Sequence, residues 1–82
     1  MDIQTLRLFV AAAERLNISA AGRSLGLAPA MASARLAKLE HELGAELLHR
    51  TTRKVSLSQE GAAFLPYARE ILAQSEAGRA AL

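Results

Sequence analysis

The sequence predicts a mainly α-helical domain with one short β-hairpin placed before its last helix. Apolar residues recur at three- and four-residue steps along most of the chain, which is the period of a helix with one buried side. Glycines follow the second and third helical segments, where helices commonly end. After Gly44 the helical period is lost, and it returns only beyond Ser58.

Length and composition narrow the class of protein. The 82 residues fit one small domain, and the apolar fraction of 51% overstates its core because 18 residues are alanine. The chain lacks cysteine, and its two isolated histidines are too few for a metal cluster. No apolar run reaches the length of a membrane span, and the N-terminus does not resemble a signal peptide. We therefore expect a cytoplasmic protein with no cofactor, metal or membrane partner.

Two helices are predicted in the first third of the chain. The first, from Met1 to Leu16, has one apolar side made of Ile3, Leu6, Phe9, Val10, Ala13 and Leu16. Asn17 ends this pattern. Ser19 is the expected N-cap of a short second helix that runs through Leu25, and Gly26 follows it.

A third helix is predicted from Pro29 to about Leu43. Proline suits the first helical turn, and Gly44 ends the segment. Its inward residues are expected to be Ala32, Leu36, Leu39 and Leu43. Two helices joined by a short glycine-containing turn indicate either a helix-turn-helix or an ordinary helical hairpin.

The segment after Gly44 predicts a small hairpin. Its strands are expected around Leu47 to Arg50 and Val55 to Leu57, joined by a basic turn. The net charge is only +2, but residues 50–54, RTTRK, hold three positive charges and no acid. Such a run is either a solvated loop or a phosphate-binding segment. Three helices followed by a basic hairpin is the element order of a winged helix.

A last helix is predicted from a Ser58 cap toward Leu82. Its apolar arc is wider than one neighbour needs and consists of Phe64, Leu65, Ala68, Ile71 and Leu72. Pro66 falls inside this helix and weakens or kinks it locally. Either the whole arc folds against its own domain, or part of it packs on a second copy of the chain. We favour the second copy, because so short a chain builds a thin core alone.

Three stretches of the chain resemble the N-terminal domain of LysR-type transcriptional regulators. They are LRLFVAAAE at 6–14, SAAGRSLGLAPAMASARLAKLEHELGAELLHRT at 19–51, and LSQEGAAFLPYAREIL at 57–72. The resemblance implies a winged helix-turn-helix over residues 1–58 that binds double-stranded DNA. It also implies a linker helix over 59–82 that forms a homodimer. A C-terminal effector-binding domain, absent from this chain, is implied to bind any small-molecule effector.

The predicted winged helix-turn-helix also indicates which residues face DNA. Base or groove contacts are expected from Pro29, Ala30, Ser33, Ala34 and Arg53, with Arg53 at a minor groove. Phosphate contacts are expected from Arg23, Arg35, Lys38, Arg50, Thr51 and Lys54. Arg35 has a competing interpretation, because its helical phase also allows pairing with Glu14 or Glu40. The dimer interface is expected at the five residues of the apolar arc.

The third helix departs from the family where polar side chains commonly occur. Ala28 replaces a capping serine or threonine, Pro29 replaces a glutamine, and Ala34 replaces a basic residue. Alanine methyl groups pack against the methyl group of thymine, so Ala30 and Ala34 either read thymine-containing steps or merely favour helix formation.

Other functions fit the sequence less well. A protein-docking winged helix is one alternative, and a molybdate-responsive type of winged-helix regulator is another. The acid-free cation run at 50–54 favours phosphate over an ordinary protein partner. No carboxylate pair, nucleophile set or phosphate-cradling glycine loop is visible in the sequence, so we do not expect an enzyme.

Overall fold

The computed structural model describes residues 1–51 and 54–82 and confirms four helices and a hairpin in that part of the chain. In chain order the elements are α1 Ile3–Arg15, α2 Ile18–Ser24, α3 Pro29–Leu43, β1 Leu48–Arg50, β2 Val55–Leu57 and α4 Gln59–Ala80. The strands pair antiparallel, with Leu48 opposite Leu57 and Arg50 opposite Val55. We call β1, β2 and the segment between them the wing. Thr52 and Arg53 belong to that segment and lie outside the described residues.

Helix α1 is the centre of the molecule, because it packs against α2, α3 and α4. The predicted single apolar side is therefore too narrow: Leu8 and Ala12 are fully buried as well. Ile3 and Leu16, which were expected to face inward, are exposed near the two ends of the helix. A helix that packs against neighbours on two opposite sides needs apolar residues on both sides.

The N-cap of α2 is Asn17, so the expected cap at Ser19 is wrong. The side-chain oxygen of Asn17 accepts a hydrogen bond from the backbone N–H of Ala20 at 2.9 Å. Leu16 adopts a left-handed conformation that ends α1 and leaves Asn17 extended, as a cap requires. Ser19 already lies inside the helix. Gly26 has a φ of +74°, which confirms the predicted turn glycine.

Helices α2 and α3 approach each other closely at Gly22. A Cβ atom at this position would lie 2.7 Å from the Cβ of Ala32. Glycine and alanine therefore let the two helices meet with little side-chain volume between them.

Helix α4 begins at the predicted cap. The hydroxyl of Ser58 accepts a hydrogen bond from the Gly61 N–H at 2.9 Å and donates one to the Glu46 carbonyl at 2.5 Å. A Cβ at Gly61 would overlap the Leu47 carbonyl oxygen, so the first turn of α4 lies directly against the start of the wing. The helix continues through Pro66 without interruption.

The apolar arc of α4 packs in part against its own domain, so only part of it is left accessible for the expected dimer interface. Ala68 is 0% exposed within the single chain, so no partner can contact its side chain in this conformation. The ring of Phe64 packs on Phe9 with centroids 5.7 Å apart. The other three members, Leu65, Ile71 and Leu72, also pack against the core and are only partly buried. Helix α1 is therefore one neighbour of the arc, and contact of its accessible part with a second copy stays a prediction.

Ion pairs join α1 and α4 along their lengths. Arg7 pairs with Glu76 at 2.8 Å, and Glu14 pairs with Arg69 at 3.4 Å. The start of α1 is therefore linked to the end of α4, so the two helices run in opposite directions. All four side chains are largely exposed, and such pairs contribute little to stability in water.

Candidate nucleic-acid interface

Helix α3 turns a side of small residues away from the core. Ala32, Leu36 and Leu39 are buried at helical spacing, whereas Ala30, Ala34 and Ala37 are exposed. Leu43, expected to face inward, is 38% exposed because it lies on the last turn, beyond the residues that α3 packs into the core. The outer side of α3 therefore presents methyl groups close to the helix backbone.

The start of α3 follows the predicted pattern. Pro29 occupies the first turn, and the N-cap residue Ala28 makes no side-chain cap bond. Both Pro29 and Ala30 are exposed, and Ser33 is half-buried. These residues lie at the end of α3 that follows the turn, where a helix entering a groove commonly meets base edges.

One flank of α3 contacts the beginning of α1. Arg35 is half-buried and donates a hydrogen bond from Nη1 to Oε1 of Gln4 at 3.2 Å. Glu14 and Glu40, the alternatives raised by the sequence, pair instead with Arg69 and Arg50. The Thr5 N–H bonded to Asp2 lowers the pKa of that carboxyl, and the charge of Arg35 lowers it further. Lys38 on the same flank is exposed.

The opposite flank of α3 is joined to the wing by Glu40. Its carboxylate accepts hydrogen bonds from the Leu47 N–H at 2.7 Å and the Leu48 N–H at 3.2 Å. It also pairs with Nη2 of Arg50 at 2.8 Å. Arg50, which was expected to contact phosphate, is held against α3 by this pair. The sequence did not single out the role of Glu40, and a ten-residue spacing is a weak signal for such a pair.

The described part of the wing turn is closed by its own hydrogen bonds. The Thr51 N–H donates to the Lys54 carbonyl at 2.9 Å, and the Lys54 N–H donates to the Thr51 hydroxyl at 3.0 Å. That hydroxyl also donates to the Lys54 carbonyl at 3.2 Å. Thr51, expected to contact phosphate, thus shapes the turn. Arg53, the expected minor-groove residue, lies outside the described residues.

The remaining predicted cations are accessible. Within residues 1–51 and 54–82, the side chains of Arg23, Lys38 and Lys54 are exposed and form no ion pair. Exposed cations of this kind suit phosphate contacts, because they keep their donors available. The described residues contain no group of His, Cys, Asp and Glu arranged to hold a metal ion. None of the described helices is long and apolar enough to cross a membrane.

Two tightly packed helices joined by a glycine turn, followed by a two-stranded wing beside the second helix, define a winged helix-turn-helix domain. A family model described as a bacterial regulatory helix-turn-helix protein of the lysR family matches residues 3–62, most of the chain. The chain belongs to this family. The resemblance inferred from the sequence is thereby confirmed.

A curated relative shows how much of a regulator the chain covers. The HTH-type transcriptional regulator ShiR of Corynebacterium glutamicum is 43% identical over 82 residues, which is 100% of this chain and 28% of the relative. The E. coli regulator DmlR is 41% identical over 85% of this chain and 23% of its own length. The chain therefore spans about a quarter of the length of the curated relatives it matches.

Solved structures similar to this fold include complexes with DNA. The BenM DNA-binding domain bound to catB site 1 DNA has a TM-score of 0.90 and 34% identity, over 98% of this chain and 89% of that one. The CbnR DNA-binding domain in complex with DNA has a TM-score of 0.87 and 37% identity, over 99% of this chain and 91% of that one.

Proposed function

We propose that this chain is the sequence-specific DNA-binding domain of a dimeric bacterial transcriptional regulator. Helix α3 is the recognition helix and lies in the major groove, and the wing lies at the adjacent minor groove. The observation that carries the proposal is the outer side of α3, where exposed Ala30, Ala34 and Ala37 are flanked by the exposed cation Lys38. The DNA complexes of the similar BenM and CbnR domains support it.

The proposed contacts divide by chemistry. Pro29, Ala30 and Ala34 approach the bases, since small side chains allow the helix backbone deep into the groove. The cations Arg23, Lys38 and Lys54 contact phosphates, which supply most of the affinity that is independent of sequence. Arg53 stays a prediction for the minor groove, where a narrow A·T-rich segment attracts arginine.

The homodimer is proposed to form through the side of α4 that α1 leaves uncovered. The proposed contacts with the second copy are the partly buried Leu65, Ile71 and Leu72 of the apolar arc and the 68% exposed Tyr67. Two domains joined in this way read two half-sites of one operator. Because bacterial DNA is cytoplasmic, the proposed function places the protein in the cytoplasm. A small-molecule effector, if the regulator uses one, binds in a domain beyond this chain.

The function is tested by binding of the chain to double-stranded DNA from upstream of its own gene. We expect a protected site and an affinity that falls steeply with salt concentration. Lys38→Ala should reduce the slope of log affinity against log salt by about 0.9, the value for one phosphate contact. Arg79→Ala, which removes an equal charge near the end of α4, is the matched control. Absence of binding, or equal effects of the two variants, would contradict the proposed interface.

A further inference from the structure

Glu40 is a largely buried acid at the edge of the proposed interface, and the contacts proposed above do not use it. Its side chain is 16% exposed, and both carboxylate oxygens are bonded. Oε2 accepts the backbone N–H groups of Leu47 and Leu48, at the start of β1. Oε1 accepts a hydrogen bond from Nη2 of Arg50, at the end of β1. One side chain of α3 thus holds both ends of the first wing strand.

Arg50 lies in the corner between α3 and the wing. It is the last residue of β1, opposite Val55, and its guanidinium group reaches α3 through Glu40. Adjacent major and minor grooves share one sugar-phosphate backbone as their common wall. If α3 occupies one groove and the wing the next, that backbone crosses this corner. Arg50 is 31% exposed at its side chain, so it remains accessible to a phosphate there.

We propose that Glu40 is a positioning residue for DNA binding, which fixes Arg50 so that its guanidinium donors not bonded to Glu40 contact the backbone phosphate between the two grooves. This inference rests on the proposed function. Arginine has five N–H donors in a rigid planar fork, so it can bond a carboxylate on one edge and a phosphate on another. Holding the side chain in advance removes the entropy cost of ordering it when DNA binds.

A positioning role for Glu40 predicts the opposite change in DNA affinity from the one expected from charge alone. Glu40→Gln removes a negative charge beside a polyanion, and a simple electrostatic effect would strengthen binding to any DNA. If Glu40 positions Arg50, the same substitution releases the guanidinium and weakens binding, although the net charge of the protein rises by one. The neutral amide keeps an oxygen that can accept from the backbone N–H groups of β1, so the wing retains part of its attachment.

The test measures DNA affinity of the 82-residue chain at several salt concentrations for the wild type, Glu40→Gln and Glu46→Gln. Glu46 is an exposed acid that pairs with His49 and carries the same charge. For Glu40→Gln we expect the salt slope to fall by about 0.9, which corresponds to about eightfold weaker binding at 0.1 M salt. Glu46→Gln should bind as the wild type or more tightly. Thermal unfolding followed by circular dichroism checks that each variant is folded.

Two further variants separate positioning from a general effect on folding. Arg50→Lys leaves the charge and the bonds of Glu40 to β1 in place, but lysine lacks the fork that bonds two anions in fixed geometry. We expect severalfold weaker binding. In an Arg50→Ala background, Glu40→Gln should cause no additional loss, since both variants remove the same contact.

The outcomes distinguish this inference from the proposed function. If the wild-type chain does not bind DNA, or binds it with an affinity that does not depend on salt, the proposed function itself is overturned. If the wild type binds as expected, three results would overturn the role of Glu40 alone. They are tighter DNA binding by Glu40→Gln than by the wild type, an affinity of Arg50→Lys equal to that of the wild type, and additive losses of affinity when Glu40→Gln is combined with Arg50→Ala.

Discussion

Leu16 has a backbone conformation that disfavours any side chain. Its φ of 52° places it in the left-handed region, and it is 54% exposed, so little packing offsets the strain. We expect Leu16→Gly to stabilise the domain by up to about 1 kcal/mol, because relief of strain exceeds the entropy that glycine adds to the unfolded chain. Thermal unfolding measures the change. Leu16→Ala keeps a Cβ and is the control, and a Gly variant less stable than the Ala variant would contradict this account.

The exposed alanines of α3 provide methyl groups rather than hydrogen-bond donors. If Ala30 and Ala34 contact thymine methyl groups, replacing thymine by uracil at contacted positions should weaken binding. The loss per base pair should lie near the low end of the roughly 1–3 kcal/mol found for mismatches, because no bidentate hydrogen bond is involved. Uracil outside the protected site is the control. Undiminished binding at every contacted position would mean that these alanines act only as helix formers.

At the scale of elements, two glycines test the packing of the helix-turn-helix. Gly22 faces Ala32 with no room for a Cβ, whereas Gly78 on α4 has open space around it. We expect Gly22→Ala to destabilise the domain by about 1–3 kcal/mol through overpacking. Gly78→Ala should stabilise it by up to about 1 kcal/mol through helix propensity. Denaturant unfolding of both variants is the measurement, and equal effects would show that the close approach of α2 and α3 is unimportant.

The N-terminus of α1 gives a prediction about pH. The Asp2 side chain accepts a hydrogen bond from the Thr5 N–H at 2.7 Å, which lowers its pKa from the ordinary value of 3.8. A carboxyl with a lowered pKa stabilises the folded state above its unfolded pKa and loses that contribution as the pH falls through the folded value. Asp2→Ala should therefore be less stable than the wild type at pH 7, and the difference should shrink below about pH 4.

Asp2→Asn is the control for this cap. Asparagine keeps an oxygen that accepts the same hydrogen bond and does not titrate. Its stability relative to Asp2→Ala should therefore stay constant over the same range of pH. A wild-type advantage that persists unchanged at low pH would mean that the charge of Asp2 is irrelevant.

At the scale of the whole molecule, the position of α4 changes how dimerisation should be tested. Ile71 packs against the core of its own chain, so Ile71→Glu would lower stability and self-association together. Tyr67 lies exposed on the same helix. We expect Tyr67→Glu to weaken self-association, by about 2 kcal/mol if Tyr67 is an anchor of the interface, and to leave the melting temperature nearly unchanged. Sedimentation measures the first effect, and a wild-type chain that stays monomeric at high concentration would contradict the dimer.

The sequence by itself determined the local features of this protein. Pro29, Gly44 and Ser58 mark the ends of helices because capping and backbone preferences depend on a few neighbouring residues. The alanine-rich outer side of α3 could be predicted for the same reason, because the helical period alone separates Ala30 and Ala34 from buried Leu36. The resemblance to the family then predicted how the elements are arranged.

Only the tertiary structure decided which side chains meet across elements. Arg35 bonds Gln4, Glu40 holds Arg50, and the apolar arc of α4 packs on α1 of its own chain. Periodicity reports which side of a helix is apolar but not what covers it. A long polar side chain likewise reaches several partners, and the choice among them is set by the distances and angles at which whole elements pack.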